Sequence, residues 1–269
     1  MSESSPIPPS ADKPRRRSPP RRIEVARVET LSPSMRRVTF TGADLDGFAI
    51  NAPATYIKLT FPEPGQAEPP LPTQDGPRSA SMRTYTPRRF DAGALELEVD
   101  FVLHGEGPAS GWAEQARPGQ RLVLMGPGRG HEIDAAAGDH LLIGDESALP
   151  ALETILESLP AQARAQVIAE VAGPQEERAL GGTVDRQITW IHRGADSSTT
   201  GRGVEAALRR MAPLAAGTRA YVACEAAAMR RIRQLLIDEL GLPRNQVVGR
   251  GYWKIGGVNH PDHDYGDDA

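Results

Sequence analysis

Cysteine is almost missing from this chain: Cys224 is the single one in 269 residues. That scarcity excludes an intramolecular disulfide and any multi-cysteine zinc or iron–sulfur site, so a redox function would depend on a bound organic cofactor. Cys224 itself reads as a small buried hydrophobe. No apolar run is long enough to cross a bilayer, and the N-terminal stretch lacks the apolar segment of a secretory signal, so the cytoplasm is the expected compartment. Histidines at metal-ligand spacing are missing too. His104 and His192 have no partner at such spacing, and His260 and His263 lie in an acidic tail, so no protein-bound metal is expected. The net charge of −4 conceals an uneven distribution, since residues 1–22 hold six Lys or Arg against two acids. The remaining body is acidic and does not read as a nucleic-acid binder.

What is present falls into four stretches. Residues 1–22, with six prolines and five serines, cannot offset the entropy of ordering and are expected to form a disordered basic tail. Residues 23–130 carry the short alternating runs of β-structure: Ile23–Leu31, Met35–Thr41, Thr55–Phe61, Arg83–Phe90, Leu95–His104 and Arg121–Met125. Six such strands with turn signals between them predict a small antiparallel β-barrel. In the fifth, Leu95, Leu97, Val99, Phe101 and Leu103 share one face, and His104 leaves the core side at the strand's end. Pro62 to Pro77 is a proline-rich loop.

Residues 131–256 alternate strand and helix. Strands are expected at His140–Gly144, Gln166–Val171, Gln187–His192, Arg219–Cys224 and Gln246–Trp253, with helices over Ala148–Leu159, around Val204–Met211 and over Glu225–Leu240. This grammar predicts a parallel sheet covered on both faces, with ligands at the carboxyl ends of its strands. Residues 257–269 form an acidic tail.

Three motifs carry chemistry. Arg83-Thr84-Tyr85-Thr86 sets a guanidinium, an aromatic ring and hydroxyls on one strand, with Arg83 and Tyr85 on one face and Thr84 and Thr86 on the other. The combination suits FAD: the guanidinium can pair with a pyrophosphate, the phenol can stack on the isoalloxazine and a hydroxyl can reach the ring edge. Taken alone it reads as an ordinary cross-strand surface pair. Gly105 to Trp112 is a glycine-rich turn opening a short helix, with Pro108 where its missing N–H is harmless. Free amides there make a phosphate site, or the element merely covers the barrel's end. Gly144-Asp145-Glu146-Ser147 ends the first strand of the second half without the Gly-x-Gly-x-x-Gly fingerprint. Its position suits a nicotinamide cofactor, but its carboxylates would repel a pyrophosphate placed close by.

In this order the motifs resemble the ferredoxin–NADP reductase superfamily and, within it, the siderophore-interacting proteins, which are flavin-dependent ferric-siderophore reductases. The residues carrying the resemblance are Arg83-Thr84-Tyr85-Thr86, Asp100 to Gly105, Gly107-Pro108-Ala109-Ser110 with Trp112, Gly144 to Ala151, Glu225 to Met229, and Gly251-Tyr252-Trp253-Lys254. The resemblance implies an N-terminal FAD-binding β-barrel followed by a C-terminal NAD(P)H-binding α/β domain. It implies FAD held by Arg83, Thr84, Tyr85, Thr86, Asp100, Val102, His104, Gly107, Ala109 and Ser110. It further implies NADH or NADPH near Gly144, Asp145, Glu146, Ser147, Glu225 and Trp253. The substrate it implies is a ferric siderophore, often anionic, met by Lys58, Arg129 and Lys254. Cys224 stands where relatives often have Gly, which bears on close approach of a nicotinamide. The implied protein is a monomer whose flavin carries the chemistry without a catalytic side chain. A ferredoxin donor, another electron acceptor such as free flavin or a protein, and a non-catalytic ferric-siderophore binder stay open.

Overall fold

A computed structural model describes residues 18–72, 79–105, 107–194 and 196–260. Most of the expected basic tail, Arg78, the end of the proline-rich loop and the acidic terminus with His263 lie outside the described residues. The first seven strands are β1 (Arg21–Ser32), β2 (Met35–Thr41), β3 (Ile57–Thr60), β4 (Met82–Tyr85), β5 (Pro87–Asp91), β6 (Glu96–Val102) and β7 (Arg121–Met125). They form one sheet in the order β4-β3-β7-β1-β2-β6-β5, with antiparallel pairing throughout.

The edge strands β4 and β5 are consecutive in the chain and joined by Thr86 alone. Two opposite edges can share a one-residue joint only if the sheet curls back on itself, so the barrel closes at Thr86. The single strand expected over Arg83–Phe90 is therefore two strands, and six expected segments become seven. Alternation could not reveal the break, because Pro87 is tolerated at the start of an edge strand and leaves the apolar pattern intact. The tail also ends earlier than expected: β1 starts at Arg21 and pairs Arg21 and Arg22 with Leu124 and Val123 of β7.

Inside the curl, Ile23, Val25, Val38, Phe40, Ile57, Leu59, Leu97, Val99, Phe101, Leu122 and Leu124 form a buried core. These positions alternate along their strands, which places the charged residues between them on the outer face. Helix α1 (Gly107–Glu114) closes one end, laying Trp112 against Phe40, Phe61 and Phe101 with ring centroids 5.4–6.1 Å apart.

The second half holds β8 (Asp139–Asp145), β9 (Arg164–Val171), β10 (Asp185–His192), β11 (Arg219–Glu225) and β12 (Val247–Trp253), with helices α2 (Leu149–Ser158), α3 (Arg202–Arg210) and α4 (Ala226–Asp238). The sheet is parallel, in the order β10-β9-β8-β11-β12. Two apolar clusters cover its faces, one built on Leu149, Leu152, Ile155 and Leu156 of α2, the other on Val204 and Leu208 of α3 and Met229, Ile232 and Leu236 of α4. From β8 the chain runs outward to β9 and β10 and then returns to β11 on the other side. The strand order reverses between β8 and β11, and the crevice at their carboxyl ends is where such sheets bind ligands. Among the described residues no helix is long and apolar enough to cross a membrane.

The two halves are packed together. Met35 of the barrel belongs to the buried cluster of α2, and Leu31, Ala54 and Val102 pack against it. Beside this apolar contact runs an ionic one. Asp100 on β6 accepts two hydrogen bonds from Arg37 on β2, at 2.7 and 2.9 Å, and one from Arg178 of the second half at 3.4 Å. Arg178 also reaches Glu153 of α2 at 3.1 Å, and Glu153 accepts from Arg88 of β5 at 2.9 Å. Arg88 in turn meets Glu157 with a 2.6 Å contact.

Candidate functional site

Arg83 and Tyr85 lie opposite Leu59 and Ile57 in the β3–β4 register, and Thr84 lies opposite Lys58. Directly opposed residues share a face, so Arg83 and Tyr85 do project together, with Thr84 and Lys58 on the reverse side. The Tyr85 ring packs on Phe101 with centroids 4.6 Å apart and meets Phe61 edge-on at 6.3 Å. Burial pushes its phenol well above the ordinary range, so it stays neutral. Arg83 donates from Nη1 to the carbonyls of Ala80 and Met82, at 2.8 and 2.9 Å. Among the described residues its Nε and Nη2 have no partner, which leaves one edge of the fork for an anion. Thr86 is buried at the barrel's joint.

Beyond β6, Ser110 Oγ accepts from the amides of His104 and Gly105 at 2.9 and 3.2 Å, folding the turn onto the start of α1. Gly105 and Gly107 hold φ of +74° and +81°. A Cβ at Gly105 would meet nothing within 4 Å, and one at Gly107 only the His104 ring at its limit. These glycines serve the left-handed backbone and leave the space above the first turn of α1 open. The amides of that turn have no intrahelical acceptor. A half-committed guanidinium, a neutral aromatic ring, a buried hydroxyl and free helix-start amides are the donor set a flavin dinucleotide requires, and the residues present fit FAD.

Asp100 does not join that set through its side chain. Its carboxylate is fully buried and occupied by Arg37 and Arg178, and strand alternation sends it away from the face on which Phe101 meets Tyr85. The hydrogen bond to Asp100 raises the Arg37 pKa further.

At the carboxyl edge of the parallel sheet the carboxylates are engaged as well. Asp145 accepts from Ser147 N and Oγ at 3.0 and 2.5 Å, from Glu225 N at 3.1 Å and from Trp253 Nε1 at 2.8 Å. Burial, with the neighbouring Glu146 adding to it, raises its pKa to about 6. Glu146 is neutralised by Arg193 at 2.7 Å and accepts from Ala172 N. Glu225 caps α4 by accepting from Ala228 N at 2.8 Å, and also takes a longer bond from Ile255 N. The expected repulsion of a pyrophosphate is therefore weaker than the sequence suggests, since one charge is paired and the others are turned inward to protein donors. Gly144 is required here, because a Cβ would lie 2.7 Å from that of Ala148 and 3.0 Å from the Ala223 carbonyl. Cys224 is buried, and burial pushes its thiol pKa up, away from nucleophilic use.

Of the three basic positions, two lie on segments that meet at Tyr56. The Lys58 ammonium stands 5.8 Å from the centre of the Tyr56 ring. Gly128 lies flat against that same ring, so close that a Cβ would sit 2.1 Å from Tyr56 Cζ, and its amide donates to the Tyr56 carbonyl at 2.7 Å. Arg129, the next residue, is exposed. Lys254 is exposed just past Trp253, on the other half of the molecule.

The sequence reading missed several groups. Glu170 ends an otherwise apolar run on β9, is buried, and accepts from Gly201 N at 2.9 and 3.0 Å. Burial raises its pKa to about 7. A lone acid in Val167-Ile168-Ala169-Glu170-Val171 was the available signal. Arg193 and Tyr221 gave none, because their partners Glu146 and Tyr252 are distant in sequence.

A curled antiparallel sheet joined to a parallel sheet with a ligand crevice at its switch point is the architecture of a two-domain flavin and nicotinamide reductase. Residues 24–131 match the model of the siderophore-interacting FAD-binding domain, and residues 137–256 that of the siderophore-interacting protein. The ferric vibriobactin reductase ViuB of Vibrio cholerae is 33% identical over 247 residues, 88% of this chain and 90% of that one. A siderophore utilization protein from T. fusca, known by crystal structure, superposes with a TM-score of 0.81 at 36% identity, covering 92% of this chain and 99% of its own. The NADPH-dependent ferric-chelate reductase of Escherichia coli is 39% identical over 146 residues, 52% of this chain and 57% of that one. The chain belongs to the siderophore-interacting protein family.

Proposed function

We propose that this protein is a flavin-dependent ferric-siderophore reductase, moving electrons from NADH or NADPH through FAD to Fe(III) and so releasing iron as Fe(II). The observation that carries the reading is that the half-committed Arg83 guanidinium and the open Gly105–Gly107 turn stand on a barrel whose Met35, Leu31 and Val102 pack into the apolar cluster of the parallel sheet. The relatives named as ferric reductases agree with it.

We assign the cofactor to two groups of residues, working as units 23–130 and 131–256. Arg83 and the amides of Gly107, Ala109 and Ser110 hold the pyrophosphate of FAD. Thr84, Val102 and His104 shape the strand ends around it, Tyr85 offers its ring to the isoalloxazine, and Thr86 meets the ring edge. Asp100 contributes by fixing β6 to β2 and to Arg178. Gly144, Asp145, Glu146, Ser147, Glu225 and Trp253 form the nicotinamide crevice, in which Asp145 orients the Trp253 indole. When bound, FAD accepts two electrons together from the nicotinamide and gives single electrons to Fe(III). Lys58, Arg129 and Lys254 attract the anionic chelate, a salt-sensitive effect. Oxygen donors hold Fe(III) better than the softer Fe(II), so reduction loosens the chelate. The proposal includes a monomer acting in the cytoplasm, with a ferredoxin as the alternative donor. Purified protein should carry one FAD and its yellow absorption; a preparation that neither carries nor takes up flavin would remove the reading.

A further inference from the structure

We propose that Arg36 is a positioning residue for the diphosphate of the flavin cofactor: it grips the carboxyl end of α1 and so aims the amides of that helix's first turn. The proposal rests on the FAD reading given above, in which the amides of Gly107, Ala109 and Ser110 hold the pyrophosphate. Arg36 lies on β2, an interior strand between β1 and β6, and stands opposite Phe101 in the β2–β6 register. Opposed residues share a face, so Arg36 and Phe101 both serve the end of the barrel that α1 closes. There Phe101 meets the Trp112 ring of α1 with centroids 5.7 Å apart. Arg36 Nη1 donates to the carbonyl of Ala113 at 3.1 Å and to that of Glu114.

The sequence after α1 explains why a distant side chain is needed there. The last carbonyls of a helix have no intrahelical donor, and in α1 these run from Gly111 to Glu114. Gly111 and Trp112 are served locally, by Gln115 Nε2 at 3.5 Å and Gln115 N at 3.1 Å. Ala113 has only a long bond from Ala116 N, at 3.4 Å, among the described backbone groups. The chain cannot finish the turn. Arg117 N, four residues after Ala113, is diverted to Gln120 Oε1 at 2.9 Å. Pro118, four residues after Glu114, has no N–H to give. Arg36 replaces the donors that the backbone withholds, and its charge complements the negative end of the helix dipole.

The grip bears on the site because α1 has eight residues, and isolated helices under about 12–15 residues are marginal in water. Ala109, Ala113 and Trp112 press it against the barrel core. Apolar contact is non-directional and does not fix the helix about its own axis, whereas hydrogen bonds at both ends do. At the front, Ser110 Oγ accepts from the amides of His104 and Gly105. At the back, Arg36 ties the last two carbonyls to the sheet. Without it the last turn frays and the first-turn amides lose their fixed aim. The Tyr85 ring stands on β4 and is unaffected, so the loss falls on the diphosphate and spares the isoalloxazine.

The test compares affinities for FAD and for riboflavin, which has the isoalloxazine but no diphosphate, by flavin fluorescence titration of the flavin-free protein. Wild type, Arg36→Met, Arg36→Gln and Arg36→Lys are measured, each checked for folding by circular dichroism. Methionine keeps an apolar stem without a donor, and lysine keeps both charge and donors. Arg36→Met should weaken FAD binding about tenfold, the scale of lost hydrogen bonds to a charged group, with riboflavin binding changed less than about twofold. Arg36→Lys should recover most of the FAD affinity, and Arg36→Gln should fall between, which keeps a readout if the methionine variant does not fold. With FAD saturating, the phosphorus magnetic resonance signals of the diphosphate should move in Arg36→Met while the visible flavin spectrum stays that of wild type. Wild-type FAD affinity in both neutral variants, an equal loss for FAD and riboflavin, or no recovery with lysine would overturn the role of Arg36 and leave the flavin reading intact. A wild-type protein that cannot bind FAD would overturn both.

Discussion

Replacing Asp100 separates a structural role from a cofactor role. Its carboxylate is fully buried between Arg37, at 2.7 and 2.9 Å, and Arg178, at 3.4 Å. Removing one partner of a buried ion pair leaves an uncompensated charge and costs about 3–5 kcal/mol. After Asp100→Ala, Arg37 keeps Glu98 at 3.5 Å and Arg178 keeps Glu153 at 3.1 Å. These contacts offset part of the loss and place the expected cost near the lower end, ~3 kcal/mol. For a chain of this size that lowers the midpoint of thermal unfolding by about 6–12 °C. The assay is thermal unfolding of flavin-free protein followed by circular dichroism, paired with FAD affinity at a temperature where the variant is folded. Asp100→Ala should lose stability with FAD affinity changed less than threefold. Arg178→Met should also destabilise, because it strips the link between the halves. A normal unfolding midpoint combined with lost FAD binding would refute the reasoning and return Asp100 to the cofactor.

Other consequences are equally direct. Glu170 has a folded pKa of about 7 against an ordinary 4.5, so the folded state binds the extra proton between those values. Its contribution to stability is complete below pH 4.5 and is lost as pH rises to 7, a change on the order of 3 kcal/mol. Glu170→Gln should flatten the stability–pH profile in that window, as followed by urea unfolding. Arg83→Ala should lower FAD retention through gel filtration about tenfold or more, since it removes the guanidinium, and Tyr85→Ala should change the bound flavin spectrum. Gly128→Ala drives a methyl into the Tyr56 ring. It should weaken capture of an anionic ferric chelate by displacing the Lys58 platform, as read by titration of protein fluorescence, and charge reversal at Lys58, Arg129 and Lys254 together should weaken it further in low salt.

The fold was legible because both halves write their geometry into apolar spacing. Leu97, Val99 and Phe101 alternate on β6, and Leu149, Leu152, Ile155 and Leu156 recur at helical spacing on α2. The break at Thr86 was not legible, because it depends on the closure of the sheet and not on the residues beside it. The candidate site divides in the same way. Arg83, Tyr85 and the Gly105–Ser110 turn are local in sequence and could be read as a unit. The state of Asp145 and Glu146 depends on Trp253 and Arg193, which lie 108 and 47 residues away. Their charges therefore looked repulsive until the fold supplied partners. The same holds for Asp100: its neighbour Phe101 turns into the barrel core against Tyr85, while its own carboxylate serves the opposite face.

The central claim is most directly tested by an anaerobic titration of the FAD-loaded protein. NADPH or NADH is added until the flavin absorption bleaches, and a ferric siderophore is then introduced with a strong Fe(II) chelator present. The account predicts bleaching by the nicotinamide, return of the oxidised flavin spectrum on adding the ferric chelate, and two Fe(II) trapped for each FAD reoxidised. Flavin that is reduced by no nicotinamide, or that stays reduced with no Fe(II) appearing, would contradict it.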